Sequence, residues 1–252
     1  MFLLLDIGNT HTHIGLADGR RVRRQLDVPT SAWARGNALA AVERFVGPAP
    51  PRAAALCSVV PRVTPLVRRA LWNRWRLRAF ELTARTVRGV GVDYPRPETI
   101  GPDRLANAVA ARRHFGAPVV VVDFGTAVTL DVVNARGDYV GGVIAPGLAA
   151  MTDYLHEKTA LLPRIRIRDV PRAIGRSTEE AMRIGAVHGY RGLIRALLAE
   201  LRNELRARRL TVIATGGCAR LLAAKLPEIH AVEPRLTLEG LRLELIAARG
   251  AG

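Results

Sequence analysis

Two apolar runs of the chain end in the same kind of polar sequence. Residues 2–5, FLLL, lead into Asp6, and residues 119–122, VVVV, lead into Asp123; in both cases a glycine stands two positions after the acid. Short apolar runs bounded by turn residues are typical of strands that are buried on both faces. The chain therefore predicts two buried strands that each carry a carboxylate at the carboxyl end.

The pattern behind each acid is also repeated. A second strand, a turn with glycine or aspartate, helical periodicity and a late apolar strand follow in both halves. The further strands are 11–17, 53–58, 127–134 and 210–214, the turns are Asp18-Gly19 and Gly137-Asp138, and the helices are 31–46, 62–76, one from Gly101-Pro102-Asp103 to Gly116, and 177–207. This alternation predicts an α/β protein of two duplicated domains with mixed sheets, residues 1–117 and 118–252.

Composition is that of a folded protein without a membrane span. Of 252 residues, 49% are hydrophobic and 24% charged, with a mean hydropathy of +0.10, unlike a disordered chain. No run reaches the roughly 18 apolar residues that a spanning helix needs, and the apolar amino terminus is short and interrupted by Asp6, which predicts a strand and not an export signal. Cys57 is expected to be a small buried residue. Cys57 and Cys218 lie far apart in the sequence and have no metal-ligand spacing, so structural zinc is not expected. A chain with two such distant cysteines is expected in the reducing cytoplasm.

The net charge of +16 comes almost entirely from arginine. Lys158 and Lys225 are the two lysines, so the 38 basic residues include 38 − 2 = 36 arginines, and these are scattered along predicted helices. A phosphate-rich ligand would feel this field. The sequence holds no DNA- or RNA-binding motif, and a nucleic-acid partner is not expected.

The two acid–glycine sequences are candidate phosphate-binding hairpins. A glycine lets the backbone approach an anion, and Asn9, Thr10 and Thr12 add short donors. Asp6 could hold Mg²⁺ between phosphate oxygens, directly or through water. One such sequence alone is equally well an ordinary turn. The second copy, at Asp123 and Thr126, favours a cleft in which two opposed hairpins grip a polyphosphate.

Two further sequences carry candidate chemistry. GPDR at 101–104 places Asp103 and Arg104 at a helix start. Asp103 is either an N-cap or the acceptor of a substrate hydroxyl proton with Arg104 anchoring a carboxylate, and the pattern leaves both readings open. ATGG at 214–217 would let an adenine ring or ribose lie against the backbone, although a plain strand–helix connection fits it too.

The long helical segment has an amino-terminal cap and three interior glycines. Ser177 and Glu180 are suitable capping residues. Gly185, Gly189 and Gly192 each cost a helix about 1 kcal/mol. They would be tolerable where another helix packs closely, as at a dimer interface.

Taken together, these sequences resemble the type III pantothenate kinases of the acetate and sugar kinase/Hsp70/actin superfamily. The resemblance covers nearly the whole chain. It is carried, in order, by DIGNT at 6–10, SVVP at 58–61, Tyr94 upstream of GPDR at 101–104 and the LANAVAA that follows, DFGTAVTLD at 123–131, GGVIAPG at 141–147, TALLP at 159–163, Thr178 seven residues before Gly185, and ATGG at 214–217. GPDR followed by ANAVAA, between the two hairpins, is specific.

The resemblance implies ATP-dependent phosphorylation of pantothenate at its 4′-hydroxyl, the first step toward coenzyme A. It implies Asp103 as the proton acceptor, Mg²⁺ near Asp6, and a monovalent cation, K⁺ or NH₄⁺, at Asp123. The residues expected to bind ATP are Asp6, Ile7, Gly8, Asn9, Thr10, His11, Thr12, His13, Thr126, Gly216 and Gly217. Those expected to bind pantothenate are Tyr94, Gly101, Pro102, Asp103, Arg104 and Thr178. An actin-like (ribonuclease H-like) fold in both domains, an interdomain cleft, and a homodimer with the site completed near the subunit interface are implied as well.

Two positions depart from the family pattern. Val128 stands where the family usually has threonine, which bears on nucleotide affinity. Ile184 stands where the family often has serine, just before Gly185, and bears on helix packing.

Two other functions stay open on the sequence. One is a regulatory or transcription accessory protein that keeps the fold without turnover, which the basic charge would suit. The other is a superfamily kinase with a different acceptor, such as a sugar. Retention of Asp103 and both hairpin acids favours an enzyme, and the set Tyr94, Arg104 and Thr178 favours pantothenate.

Overall fold

Both acid-tipped apolar runs form strands inside mixed sheets in the computed structural model, which describes residues 1–250. The strands are β1 (Phe2–Ile7), β2 (His11–Ala17), β3 (Val22–Pro29), β4 (Ala53–Ser58), β5 (Phe80–Glu81), β6 (Gly91–Val92), β7 (Val119–Phe124), β8 (Ala127–Val133), β9 (Asp138–Pro146), β10 (Thr211–Thr215) and β11 (Ala231–Val232). The helices are α1 (Ser31–Ala34), α2 (Ala38–Val46), α3 (Thr64–Trp75), α4 (Pro102–Phe115), α5 (Leu148–Lys158), α6 (Thr178–Glu204), α7 (Ala219–Ala223) and α8 (Leu236–Arg249).

The two sheets repeat one topology. The first has the order β3-β2-β1-β4-β5, with β1 antiparallel to β2 and parallel to β4. The second has the order β9-β8-β7-β10-β11, with β7 antiparallel to β8 and parallel to β10, and β6 joins it beyond β9. The predicted duplication of mixed α/β sheets is therefore confirmed.

The chain divides into two compact units. The first contains Met1–Gly116, Gly137–Val140 and the segment that begins at Arg235; the second contains Ala117–Arg136 and Gly141–Pro234. The segment from Arg235, which was predicted to lie in the second domain, groups with the first unit because α8 packs against α4 and β1. The boundary at 117/118 stays a prediction.

Helix α4 is the most enclosed helix segment of the first unit. Every residue from 105 to 111 is buried, where α4 packs against β4 and α8. The contact with α8 is close, since a Cβ at Gly240 would lie 2.5 Å from the carbonyl carbon of Ala106. This packing fixes the direction in which the first turn of α4 presents its side chains.

One predicted helix is wrong in extent. The segment 31–46 is two helices, α1 and α2, because the chain turns between them at Gly36, whose φ of +77° favours glycine. Among residues 1–250, no helix combines the length and the apolar character needed to cross a membrane.

Candidate active site

The first hairpin is a tight turn at the end of β1. Asp6 is half-buried and lies opposite His13 of β2 and Cys57 of β4. The N–H of Gly8 donates to the carbonyl of His11 at 3.0 Å, and a Cβ at Gly8 would stand equally close to that oxygen. Glycine at this position therefore lets the turn close.

A buried hydroxyl network braces this hairpin. The Thr30 hydroxyl donates to the carbonyl of Gly8 at 2.7 Å and lies 3.1 Å from the Thr12 hydroxyl, which accepts from the Trp33 indole at 3.2 Å. Thr12 is fully buried, as is Ile7, so the side chains of these two predicted ATP-binding residues are directed into the unit. The Thr12 hydroxyl belongs to the network that braces the turn, and Ile7 belongs to the hydrophobic core.

The outer side of the same hairpin is accessible. Asn9, Thr10 and His11 are exposed. His13 is half-buried, and its Nδ1 lies 2.8 Å from a carboxylate oxygen of Asp27. The side chains that can meet a ligand here are those of the turn itself.

The second hairpin repeats this arrangement in the other unit. Asp123 is half-buried, while Gly125 and Thr126 are exposed. The N–H of Gly125 donates to the carbonyl of Ala127 at 3.1 Å, and the N–H of Gly147 donates to the carbonyl of Thr126 at 3.1 Å. Gly147 is needed for this approach, because a Cβ there would come within 2.6 Å of the carbonyl oxygen of Gly125.

The loop after β10 lies directly against Asp123. Gly216 has a φ of +89°, and a Cβ at this residue would stand 2.5 Å from Asp123 Oδ1. The N–H of Cys218 donates to the carbonyl of Phe124 at 3.3 Å. A Cβ on Gly217 would meet no described atom within 4 Å, so this side of the loop is open. The structure thus brings Gly216 and Asp123 together, which the sequence did not predict.

Asp103 lies in the first turn of α4 and does not cap it. The N-cap is Gly101, so the N-cap reading of Asp103 is wrong. Oδ1 of Asp103 accepts from the N–H of Arg104 at 2.9 Å. Burial raises the pKa of Asp103 above its usual range, and the hydrogen bond and charge of Arg104 offset this only in part. A raised pKa makes the carboxylate a stronger proton acceptor.

Tyr139 connects two of the predicted pantothenate-binding residues. Its ring lies 5.7 Å below the guanidinium of Arg104 and 6.3 Å from the ring of Tyr94, edge to face. Tyr139 is fully buried, and the pairing of β6 with the first residues of β9 brings it to this place. Sequence reasoning missed it; the available signal was an aromatic residue directly after the predicted Gly137-Asp138 turn.

Cys57 lies beside Asp6. Its thiol donates to Asp6 Oδ1 with a separation of 3.4 Å. Burial raises the pKa of the Cys57 thiol well above its usual range, and the nearby charges of Asp6 and Asp103 raise it further. The thiol therefore stays protonated. The prediction that Cys57 is a small buried residue is confirmed.

Thr178 is exposed at the start of α6. The predicted cap before it is confirmed, since the Ser177 hydroxyl accepts from the N–H of Glu180 at 3.2 Å. Of the predicted residues, the first unit holds 6–13, Tyr94 and 101–104, and the second holds Asp123, Thr126, Thr178, Gly216 and Gly217.

The donor set suits hard cations. Carboxylate, hydroxyl and backbone oxygens are ligands that Mg²⁺ accepts, usually together with water and substrate phosphates. Within residues 1–250, no three His, Cys, Asp or Glu side chains gather as a metal-binding group. A cation at Asp6 or Asp123 would therefore take its remaining ligands from phosphate, water or backbone oxygens.

Comparison with known proteins agrees with this chemistry. The family model described as type III pantothenate kinase matches residues 2–200. Proteins named type III pantothenate kinase from Akkermansia muciniphila and Methylacidiphilum infernorum are 45% and 41% identical to this chain; each match covers 96% of this chain, and they cover 97% and 86% of the relatives. A solved structure from Sinorhizobium meliloti, provisionally assigned as a 2-dehydro-3-deoxygalactonokinase, has a TM-score of 0.59 at 15% identity and covers 100% of this chain and 96% of its own. This likeness concerns the fold and agrees with duplicated actin-like domains.

Proposed function

The chain belongs to the type III pantothenate kinase family and is an ATP-dependent pantothenate kinase, and we propose that Asp103 accepts the proton of the pantothenate hydroxyl. The observation that carries this role is the place of Asp103 in the first turn of a helix that is buried from residue 105 to 111, where burial also raises the pKa of Asp103. A carboxylate that is partly removed from water is poised to take a proton as the hydroxyl oxygen attacks the γ-phosphorus.

We propose that the two hairpins hold the phosphates of ATP. The exposed turns at Asn9–Thr10 and Gly125–Thr126 offer backbone N–H groups and short hydroxyl and amide donors. Bound divalent metal, as the kinase reaction requires, would neutralise charge on the phosphates, and Asp6 would hold it directly or through water. The buried network at Thr12 would keep the first turn in shape before ATP arrives, so that little ordering accompanies binding.

Asp123 is the proposed site of the monovalent cation. Oδ1 of Asp123 faces the backbone at Gly216, where a side chain would not fit. A carboxylate with neighbouring backbone oxygens suits K⁺ or NH₄⁺ and would place that charge beside the loop proposed to hold the nucleoside. Gly217 leaves open space for the ribose or adenine at this point.

Arg104 and Tyr94 are the proposed anchors of pantothenate. Arg104 is a suitable partner for the pantothenate carboxylate because its planar guanidinium can form two parallel hydrogen bonds. The Tyr139 ring beneath it would limit its motion through a cation–π contact. Thr178 is proposed to complete the substrate site.

A turnover assay tests the proposed activity. The purified chain with ATP, Mg²⁺, K⁺ and pantothenate should form ADP and a phosphorylated product, and a panel of sugars in place of pantothenate should not. Asp103→Asn serves as the matched control for background hydrolysis. Absence of pantothenate-dependent ADP would favour the regulatory alternative, and turnover of a sugar would favour a different acceptor.

A homodimer is proposed on the open face of α6. Gly185, Gly189 and Gly192 follow one another at helical spacing, and a Cβ on any of them would meet no described atom within 4 Å. Large apolar residues are exposed elsewhere in the same unit, namely Ile144, Met151, Tyr154, Leu155 and Leu161. The hydroxyl of Tyr190, also on α6, donates to the carbonyl of Pro146 at 2.8 Å, so a partner on this helix would stiffen the segment that supports the second hairpin.

Sedimentation measurements test the dimer. Gly189→Trp should block close helix packing and give a monomer, whereas Gly19→Trp, at another glycine with open space around it, should leave the dimer intact. An unchanged mass for Gly189→Trp would place the interface elsewhere.

The two free cysteines support the proposed cytoplasmic location of the reaction.

A further inference from the structure

Cys57 lies on β4, next to the two elements that carry Asp6 and Asp103. It is the partner of Asp6 in the parallel register of β1 and β4, so the two side chains extend from the same face of the sheet. Helix α4, which carries Asp103 in its first turn, packs against β4. The thiol is therefore enclosed where strand and helix meet, and it is 0% exposed.

In the contact between Cys57 and Asp6 the thiol is the donor and the carboxylate is the acceptor. A carboxylate is an acceptor only, and a protonated thiol is a weak donor. The Sγ–Oδ1 separation of 3.4 Å is within hydrogen-bonding range for sulfur. A donor at this place can fix the plane of the Asp6 carboxylate.

We propose that Cys57 is a positioning residue for Asp6, and that its thiol holds the carboxylate in the orientation that receives the Mg²⁺ of MgATP. The inference rests on the proposed role of Asp6 in nucleotide binding. A purely packing role is the competing explanation, because a buried cysteine also fills volume as a small hydrophobe. The two explanations differ in what a serine would do, since its hydroxyl keeps a donor but not the apolar bulk.

Calorimetric binding of MgATP to the full chain separates these roles. Cys57→Ala removes the donor, and Cys57→Ser retains one. Leu56→Val, at the neighbouring buried position of β4, controls for lost volume. Thermal melts of the three unliganded variants check that each is folded.

The expected pattern is a Kd for MgATP raised about fivefold in Cys57→Ala, as for loss of one modest hydrogen bond. The Kd for MgATP of Cys57→Ser and of Leu56→Val should stay within about twofold of the parent value. The penalty of Cys57→Ala should largely disappear when ATP is titrated with EDTA in place of Mg²⁺, because the proposed contact between the Asp6 carboxylate and MgATP is made through the metal. The KM for MgATP should rise in parallel while kcat changes little.

Three kinds of result would overturn the proposal. Equal affinity of Cys57→Ala and the parent for MgATP would remove the positioning role. Equal impairment of Ala and Ser variants, or the same penalty with EDTA, would indicate packing. If the parent chain itself neither binds MgATP nor turns over pantothenate, the proposed function fails and this inference with it, an outcome distinct from the other two.

Discussion

Replacing Asp103 with asparagine should abolish most of the activity without loss of stability. The substitution keeps the shape of the side chain and an oxygen that can accept from the N–H of Arg104, now 2.9 Å from Oδ1. It removes only the negative charge and the capacity to take a proton. Catalysis and folding should therefore respond in opposite ways.

The magnitude follows from the two roles of the charge. Positioned general bases contribute about 10²- to 10⁴-fold to rate, which corresponds to about 2.7 to 5.4 kcal/mol at 1.36 kcal/mol per factor of ten. Because burial raises the pKa of Asp103, the folded protein carries the ionised carboxylate at a cost. Asparagine removes this cost, so the free energy of unfolding at neutral pH should stay level or rise.

Steady-state kinetics and thermal unfolding measure these effects on the same sample. We expect kcat to fall by at least about 10²-fold, KM for ATP to stay within a small factor, and the melting temperature to hold or increase. In the parent enzyme, kcat/KM should rise with pH through the pKa of Asp103, which lies above 3.8. Activity retained within a few-fold, or a marked drop in melting temperature, would refute the assignment of Asp103 as a desolvated proton acceptor.

Three further predictions concern other parts of the structure. Gly216→Ala should raise the Kd for ATP at least about tenfold and destabilise the chain by about 1–2 kcal/mol, because φ is +89° and the new Cβ would press on Asp123. Calorimetry measures the Kd, and denaturant unfolding measures the stability. Unchanged ATP binding would contradict the close approach of Gly216 to Asp123. Replacing K⁺ with Na⁺ at constant ionic strength should lower kcat/KM in the coupled assay, and indifference to the swap would count against Asp123 as the cation site. The carboxylate of Glu244 accepts from the N–H groups of Arg88 and Gly89, and burial raises its pKa. The contribution of Glu244 to the free energy of unfolding is therefore fully present below the pKa of the unfolded state, about 4.5, and is lost as pH rises through the pKa of the folded state. Urea titrations at several pH values should show that this pH dependence disappears in Glu244→Gln. Glu244→Ala should lower the free energy of unfolding by about 1–3 kcal/mol, because it leaves buried donors unpaired.

The elements that sequence alone predicted are those with strong local signals. Strands β1, β2, β4, β7, β8 and β10 and helices α3, α4 and α6 were predicted at nearly their observed positions. Apolar runs and turn residues specify such elements within a few positions along the chain. The two acids could be placed at strand ends for the same reason.

The parts that sequence did not predict depend on distant contacts. Strand β6 has two residues and exists through its pairing with β9, so no periodicity marks it, and the contacts of Tyr139 with Tyr94 and Arg104 depend on that pairing. Helix α8 returns to the first unit from the far end of the chain, where Glu244 binds the backbone of Gly89, 155 positions away. No local pattern encodes such a return.

The register of the two hairpins gives the departure at Val128 a physical meaning. Thr12 and Val128 occupy the same place, each paired with the residue that follows its strand-end acid, and both are fully buried. In the first hairpin the hydroxyl is satisfied by Thr30 and Trp33. A threonine at Val128 would likewise need a buried partner, because an unpaired hydroxyl there would cost about 1–3 kcal/mol. Val128 lacks the hydroxyl that braces the first hairpin at Thr12, while the exposed Thr126 is unchanged. We therefore expect the departure to affect the stiffness of the second turn more than the contacts that the turn offers.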